Sequence, residues 1–231
     1  FACSGGHHEC VELLNQRGAA IDVRSIVGYT ALMFACSGGH HECVELLNQR
    51  GVAVDIQSAQ GRTALMFACS GGYHECVELL NQRGAAMNIQ QNDGDTALML
   101  ASYDGHHECV ELLTQRGAAI DVQNIIGYTA LIMASIKGNH ECVQVLIDND
   151  ANVDIVDDDG RTALMISSEY GSISCMDLLI QRGAAIDIQD AEGKTALMIA
   201  IASIGEPLGN LKCVKLLIER GAVLDVRNED G

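Results

Sequence analysis

A Thr-Ala pair returns every 33 residues, at Thr30, Thr63, Thr96, Thr129, Thr162 and Thr195, each with a glycine two residues earlier. Such a period constrains the fold strongly. A unit this short cannot bury its own apolar face and has to stack on its neighbours. Residues 1–18 are identical to residues 34–51 and differ from residues 67–84 only at Tyr73, whereas the later copies drift. Tandem duplication leaves that gradient; a uniform consensus sequence would not.

One unit, residues 28–60, reads as two helices and a loop. The Thr30 hydroxyl is placed to cap a helix N-terminus, and "ALMFACS" follows as a short helix of small residues. Gly38 and Gly39 break it, and "HECVELLNQR" begins a second helix. Cys43, Leu46 and Leu47 fall at i, i+3 and i+4 and predict the apolar stripe, with Glu42, Glu45 and Gln49 turned to water. Gly51 is placed for a left-handed C-cap. An extended loop then returns to the next Thr, with a turn near Gly61. Asp150 stands in the column of Gly51, and Asp tolerates the left-handed region better than most residues. From Thr195 to Cys213 there are five more residues than from Thr162 to Cys175. They lie within 201–210, with the single proline, Pro207, and predict a longer first helix or an extra loop.

The pattern "G-x-TALM-x-A…GHHECVELL…RGAAID" resembles the ankyrin repeat over the whole chain, about seven times. The resemblance implies an all-α ankyrin-repeat solenoid of helix–turn–helix units joined by β-hairpin-like loops, a single array over residues 1–231. In two places the chain departs from the family pattern. Ala31 and its equivalents replace the proline that begins the first helix. Met33 and most equivalents, with Ile132 the exception, replace a histidine that hydrogen-bonds near the Thr. An aliphatic Met/Ile column is expected there instead of a polar ladder. The chain opens inside a first helix, at Phe1, and stops where another hairpin would begin, so it is expected to be a fragment of a longer protein with flanking domains.

Composition narrows the function. A formal charge of −17 repels phosphate backbones and anionic lipid, which argues against nucleic acid and membrane-surface roles. No apolar run approaches the roughly 20 residues that cross a bilayer. The chain is 48% hydrophobic but 3% aromatic, without Trp, which suits thin aliphatic layers rather than a compact aromatic core.

"GGHHECVELL" looks like a ligand cluster, but helical geometry separates its members. Successive helix residues point about 100° apart, so Cys43 faces inward while His41 and Glu45 face out. Stacked helices lie about 8–10 Å apart, too far for His41 and His74 to share zinc at ~2.0–2.1 Å. That spacing also defeats a Cys43–Cys76 disulfide, which needs Cα atoms within about 7 Å. The cysteines therefore read as a buried reduced column, implying an intracellular, cytoplasmic setting, with no metal and no cofactor. His40 and His106 are expected to bond local backbone, and His41, His74, His107 and His140 to be solvated. Cys-His pairs that recur in every unit do not single out one nucleophile and one base, and "SGGHHE" lacks the Lys-Ser/Thr ending of a phosphate loop. An enzyme is not expected.

The positions that do not repeat point to recognition. The resemblance places binding residues at the hairpin tips and just before the turn between helices. Ile26, Val27 and Tyr29 form one apolar tip, and Ile125, Ile126 and Tyr128 another. At ~10 Å per repeat they are expected about 30 Å apart. Packing of tip against tip is the alternative reading of these side chains. Between them lie polar tips with Arg62, Asp93 and Asp95. Tyr103, Ile136, Lys137, Glu169 and Tyr170 end first helices beside the same groove. The acidic block 154–159, with Asp158 and Asp159 followed by Arg161, is suited to steering a basic partner or to keeping a loop solvated. The expected function is a non-catalytic scaffold binding another protein on the groove and tips. The alternative is a structural spacer or self-associating array within a larger receptor, channel or signalling protein. The resemblance also implies that Asn88 occupies a position where some relatives are hydroxylated.

Overall fold

The computed structural model describes residues 2–203 and 209–226, and among these are thirteen α-helices and no strand. The chain divides by contact into two compact units, Phe1–Ala119 and Ile120–Gly231. The first holds α1 (His8–Gln16), α2 (Ala31–Ser37), α3 (His41–Gln49), α4 (Ala64–Ser70), α5 (His74–Gln82), α6 (Ala97–Asp104) and α7 (His107–Gln115). The second holds α8 (Ala130–Lys137), α9 (His140–Asp148), α10 (Ala163–Glu169), α11 (Ile173–Gln181), α12 (Ala196–Ala202) and α13 (Gly209–Glu219). In the first unit α2, α4 and α6 stack in one layer and α1, α3, α5 and α7 in another; in the second, α8, α10 and α12 face α9, α11 and α13 in the same way.

Each Thr caps its first helix. Thr30 Oγ1 accepts the N–H of Met33 at 3.3 Å, and the five later Thr residues do likewise. The methionine returns the bond: the N–H of Thr30 points at Met33 Sδ at 3.4 Å, with the same pair at Thr63–Met66 and Thr96–Met99. The expected aliphatic column is thus partly polar, since thioether sulfur is a weak acceptor. Ile132 has no sulfur to offer.

The buried stripe of α3 is wider than its i, i+3, i+4 pattern predicts. Cys43, Val44, Leu47 and Asn48 are buried, and Leu46 is only half-buried. The helix touches α2 below it and both α1 and α5 beside it, so it needs an apolar arc rather than a seam. Asn48 enters that interface by donating to the carbonyl of Leu79 at 3.3 Å. His40 and His106 bond the backbone of the preceding repeat rather than their own turn, reaching Ser4 O at 3.3 Å and Ser70 O at 3.2 Å. Tyr73 fills the equivalent place. Gly39 has φ +69°, and a Cβ there would stand 2.4 Å from the Tyr73 ring.

A polar ladder does join the repeats, from a different residue than the family's histidine. The carboxylate of Asp55 accepts the N–H of Ala86 at 2.9 Å. Asp22, Asn88, Asp121 and Asp154 each accept from a residue 31 further along. Asp187 accepts from Val223, 36 residues on, so the five extra residues are absorbed before that rung. Helix α12 has seven residues, as α2 does, and the first helix is therefore not lengthened. Helix α13 instead begins four residues ahead of Cys213, where α3 begins two ahead of Cys43. Residues 204–208 lie outside the described residues, as do Phe1 and the final segment 227–231 on which end-to-end stacking would rest.

Candidate functional site: the hairpin tips

Every tip is built on one residue three positions before its glycine: Ser25, Ser58, Gln91, Asn124, Asp157 and Asp190. Its N–H donates to the carbonyl four residues on, at 2.9–3.0 Å, from Ser25 to Tyr29 through Asp190 to Lys194. Where it is Ser, Asn or Asp, its side-chain oxygen takes up the turn's free N–H groups. Asn124 Oδ1 accepts from Ile126 and Tyr128, and Asp157 Oδ1 from Asp159 and Arg161. Adjacent tips are joined by backbone bonds, Ala59 N–H to Val27 O at 3.1 Å in the first unit and Asp158 N–H to Ile126 O at 3.3 Å in the second. Among the described residues, the only β-bridge is Val156 with Thr162. Sequence reasoning passed over these turn-forming residues, although a small polar residue at a fixed offset before glycine is the signal of an Asx or Ser/Thr turn.

With the backbone satisfied within the turns, the branched side chains stand in solvent. Ile26 is fully exposed, Ile125 is 66% exposed, and Val27 and Ile126 are more than 40% exposed. Backbone bonds join tip to tip beneath these groups. Tyr29 is half-buried, its ring edge-on to Phe34 at 5.6 Å and to Phe67 at 5.0 Å. Arg62 lies over the Phe67 ring, 4.5 Å from its centre. Asp93 is exposed, whereas Asp95 is buried and its carboxylate accepts from Gln91 at 2.9 Å. Tyr103 is half-buried near the end of α6.

In the second unit Tyr128, Asp159, Arg161 and Glu169 form one network. The buried Asp157 takes the Arg161 guanidinium at 3.0 Å, Asp159 lies at 3.3 Å, Glu169 at 3.7 Å, and the Tyr128 hydroxyl accepts at 3.2 Å. Burial works hardest against the charge on Arg161, but the field and hydrogen bond of Asp157, together with the fields of Tyr128 and Asp159, outweigh it and hold the pKa above the ordinary value. The acidic run is therefore not a uniformly solvated loop. Asp157 is a structural counterion, Asp154 is a ladder rung, and Asp158 and Asp159 are exposed. Ile136 is half-buried and Lys137 exposed at the end of α8, and Glu169 and Tyr170 are exposed at the end of α10. Beside them a polar cleft of 320 Å³ is lined by Asp159, Glu169, Asp190, Glu192 and Lys194.

The cysteines face inward. Nine of the ten are buried and all are free; Cys10 is exposed. Burial pushes the thiol of Cys43 to about 11, of Cys175 to about 11 and of Cys109 to about 12. Cys36 donates to Cys76, which raises the donor and lowers the acceptor; burial keeps Cys36 well up. His41 and His140 are exposed and His74 is half-buried, and all three lie 3.0–3.6 Å from glutamates. Thiols and imidazoles thus point to opposite sides of the second helices. Among the described residues no three His, Cys, Asp or Glu side chains are grouped to hold a metal, and no helix is long and apolar enough to cross a membrane.

Known structures share this architecture. The human ASB11 ankyrin repeat domain superposes with a TM-score of 0.84 at 27% identity, over 96% of this chain and 97% of that one. The ankyrin repeat domain of Bcl-3, a member of the IkappaB family, superposes with a TM-score of 0.76 at 28% identity, over 93% and 96%. No match is found among curated protein sequences. The family "Ankyrin repeats (3 copies)" matches residues 1–90, 79–157 and 149–228. The chain belongs to the ankyrin-repeat family.

Proposed function

We propose that the chain is a non-catalytic protein-binding module that takes its partner on the hairpin tips and the adjoining ends of the first helices. Ankyrin-repeat domains are protein–protein interaction modules, and a generic frame leaves recognition to the side chains grafted on it. The observation that carries the reading is the exposure of Ile26, Val27, Ile125 and Ile126 on turns whose own bonds are already made. Branched apolar groups held in water on rigid backbone are binding material. The free, buried thiols support an intracellular, reducing setting.

The test compares partner capture from cell extract by the native chain and by the variant Ile26→Ser/Val27→Ser/Ile125→Ser/Ile126→Ser, with quantitative mass spectrometry. The variant should melt at the native temperature and lose the specific partners. Equal recovery of every partner by both chains removes the tips from the function.

A further inference from the structure

Arg62 and Arg161 occupy the same place in their repeats, each within Gly-Arg-Thr-Ala-Leu-Met, three repeats apart. Their surroundings differ in charge and in aromatic content. Arg161 has three carboxylates within 3.7 Å, from Asp157, Asp159 and Glu169. The matching residues around Arg62 are Ser58, Gln60 and Ser70, none of them charged. Ser58 spends its hydroxyl on Gln60 at 3.3 Å and on the N–H of Arg62 at 3.2 Å, and Ser70 donates to Asp104 at 2.9 Å. Among the described residues no carboxylate forms an ion pair with Arg62, and its Nε is buried with no hydrogen-bond partner.

The first unit offers Arg62 an aromatic face instead. The guanidinium carbon lies over the Phe67 ring, which is edge-on to Tyr29, and Tyr29 in turn meets Phe34. A ring face attracts the cation but accepts none of the five N–H bonds that the guanidinium can donate. Those bonds fit a carboxylate in a fork, and Arg161 shows the carboxylate-bound form of the same position. Tyr29 and Phe34 are half-buried, so their exposed edges, beside the apolar Ile26–Val27 tip, complete a shelf with one cation on it.

We propose that Arg62, Tyr29, Phe34 and Phe67 form a docking point for an acidic segment of a partner protein. An Asp or Glu carboxylate seats on the guanidinium, and an aliphatic neighbour lies on the rings. The proposal rests on the tips being the binding surface and names the chemistry one of them takes. In a chain of charge −17 this is a local attraction set in a repelling field, which favours a segment carrying one or two acidic residues over a long acidic tract.

A displayed library of random twelve-residue peptides, panned on the intact chain, tests this. Enriched peptides should carry Asp or Glu close to Leu, Ile or Val. By fluorescence anisotropy Arg62→Ala should weaken them roughly tenfold or more, as loss of a charged hydrogen-bonded pair does. The variant Ser58→Asp/Gln60→Asp keeps Arg62 and gives it the two loop carboxylates that Arg161 has; it should abolish binding without lowering the melting temperature. That arm holds even where Arg62→Ala disturbs folding. Peptides without acidic preference, or binding to either variant as tight as to the native chain, overturn the proposal. If such peptides still depend on Ile26 and Val27, the tips remain the binding surface and only the role of Arg62 falls. Failure to enrich any peptide also overturns it, while the capture experiment judges the wider reading separately.

Discussion

Asp154 Oδ1 accepts the backbone N–H of Ala185 at 2.9 Å, across the 31 residues that separate one repeat's loop from the next. The same bond recurs in both units and ties loop to loop where the helices themselves do not meet. Asp154→Ala should lower unfolding stability by about 1 kcal/mol, the net worth of one exposed hydrogen bond. Asp154→Asn should keep most of it, because Asn88 makes the bond to Ala119 at 2.9 Å. Urea denaturation checks both; equal losses would mean that charge rather than the acceptor matters.

Asp150 is the one non-glycine residue with positive φ among those described, at 66°. Gly51, Gly84, Gly117 and Gly183 hold its place elsewhere, and a Cβ added to any of them meets no atom within 4 Å. The cost at Asp150 is therefore backbone strain, not crowding. Asp150→Gly should raise stability by about 1 kcal/mol, read as a higher urea midpoint with unchanged slope.

Asn81 should be the weak point of the first unit. Asn15 and Asn48 each donate to a carbonyl 31 residues on, at 3.3 Å. Both polar atoms of the Asn81 side chain are buried without a partner. The next repeat has Thr114 there, which turns back on its own helix and donates to Val110 O at 3.0 Å. Asn81→Thr should gain about 1 kcal/mol by removing an unpaired amide. No change in the thermal melt would show that the amide finds water.

The buried cysteines set an alkaline limit. The thiols of Cys43, Cys109 and Cys175 ionise at about 11 to 12 in the folded chain, against 9.0 ordinarily, because burial disfavours the thiolate. Ionisation therefore favours unfolding. This contribution is intact below pH 9 and is lost as pH rises through 11 to 12. Melting temperature should fall steeply over that window, and less so in Cys43→Val/Cys109→Val/Cys175→Val. At neutral pH a thiol reagent should label Cys10 within the mixing time and the other nine slowly.

The repeat, its two helices, the Thr caps and the inward cysteines were all readable, because each depends on residues within one turn of helix or on an exact period. What escaped depends on contacts between repeats. Met33 looked aliphatic until its sulfur was seen to lie against the Thr30 N–H. The stripe of Cys43, Leu46 and Leu47 was drawn for one neighbour, and α3 has three, so it buries Val44 and Asn48 as well. Asp95 and Asp157 were grouped with exposed tip residues, yet both are buried, and one offset along the loop separates a turn-forming acid from a solvated one. The insertion's place after α12 could not be read from spacing alone, since the count of residues between Thr195 and Cys213 is the same for a longer helix or a longer loop.

Polar side chains at the foot of each turn fasten the hairpins, Ser25 in one and Gln123 with Asn124 in another, and the apolar side chains that follow, Ile26–Val27 and Ile125–Ile126, carry no hydrogen bonds. Such positions are nearly neutral for folding and decisive for contact. A lineage can therefore change what this chain recognises by single substitutions or by shuffling whole repeats, one loop at a time, while selection for a stable frame stays blind to the change.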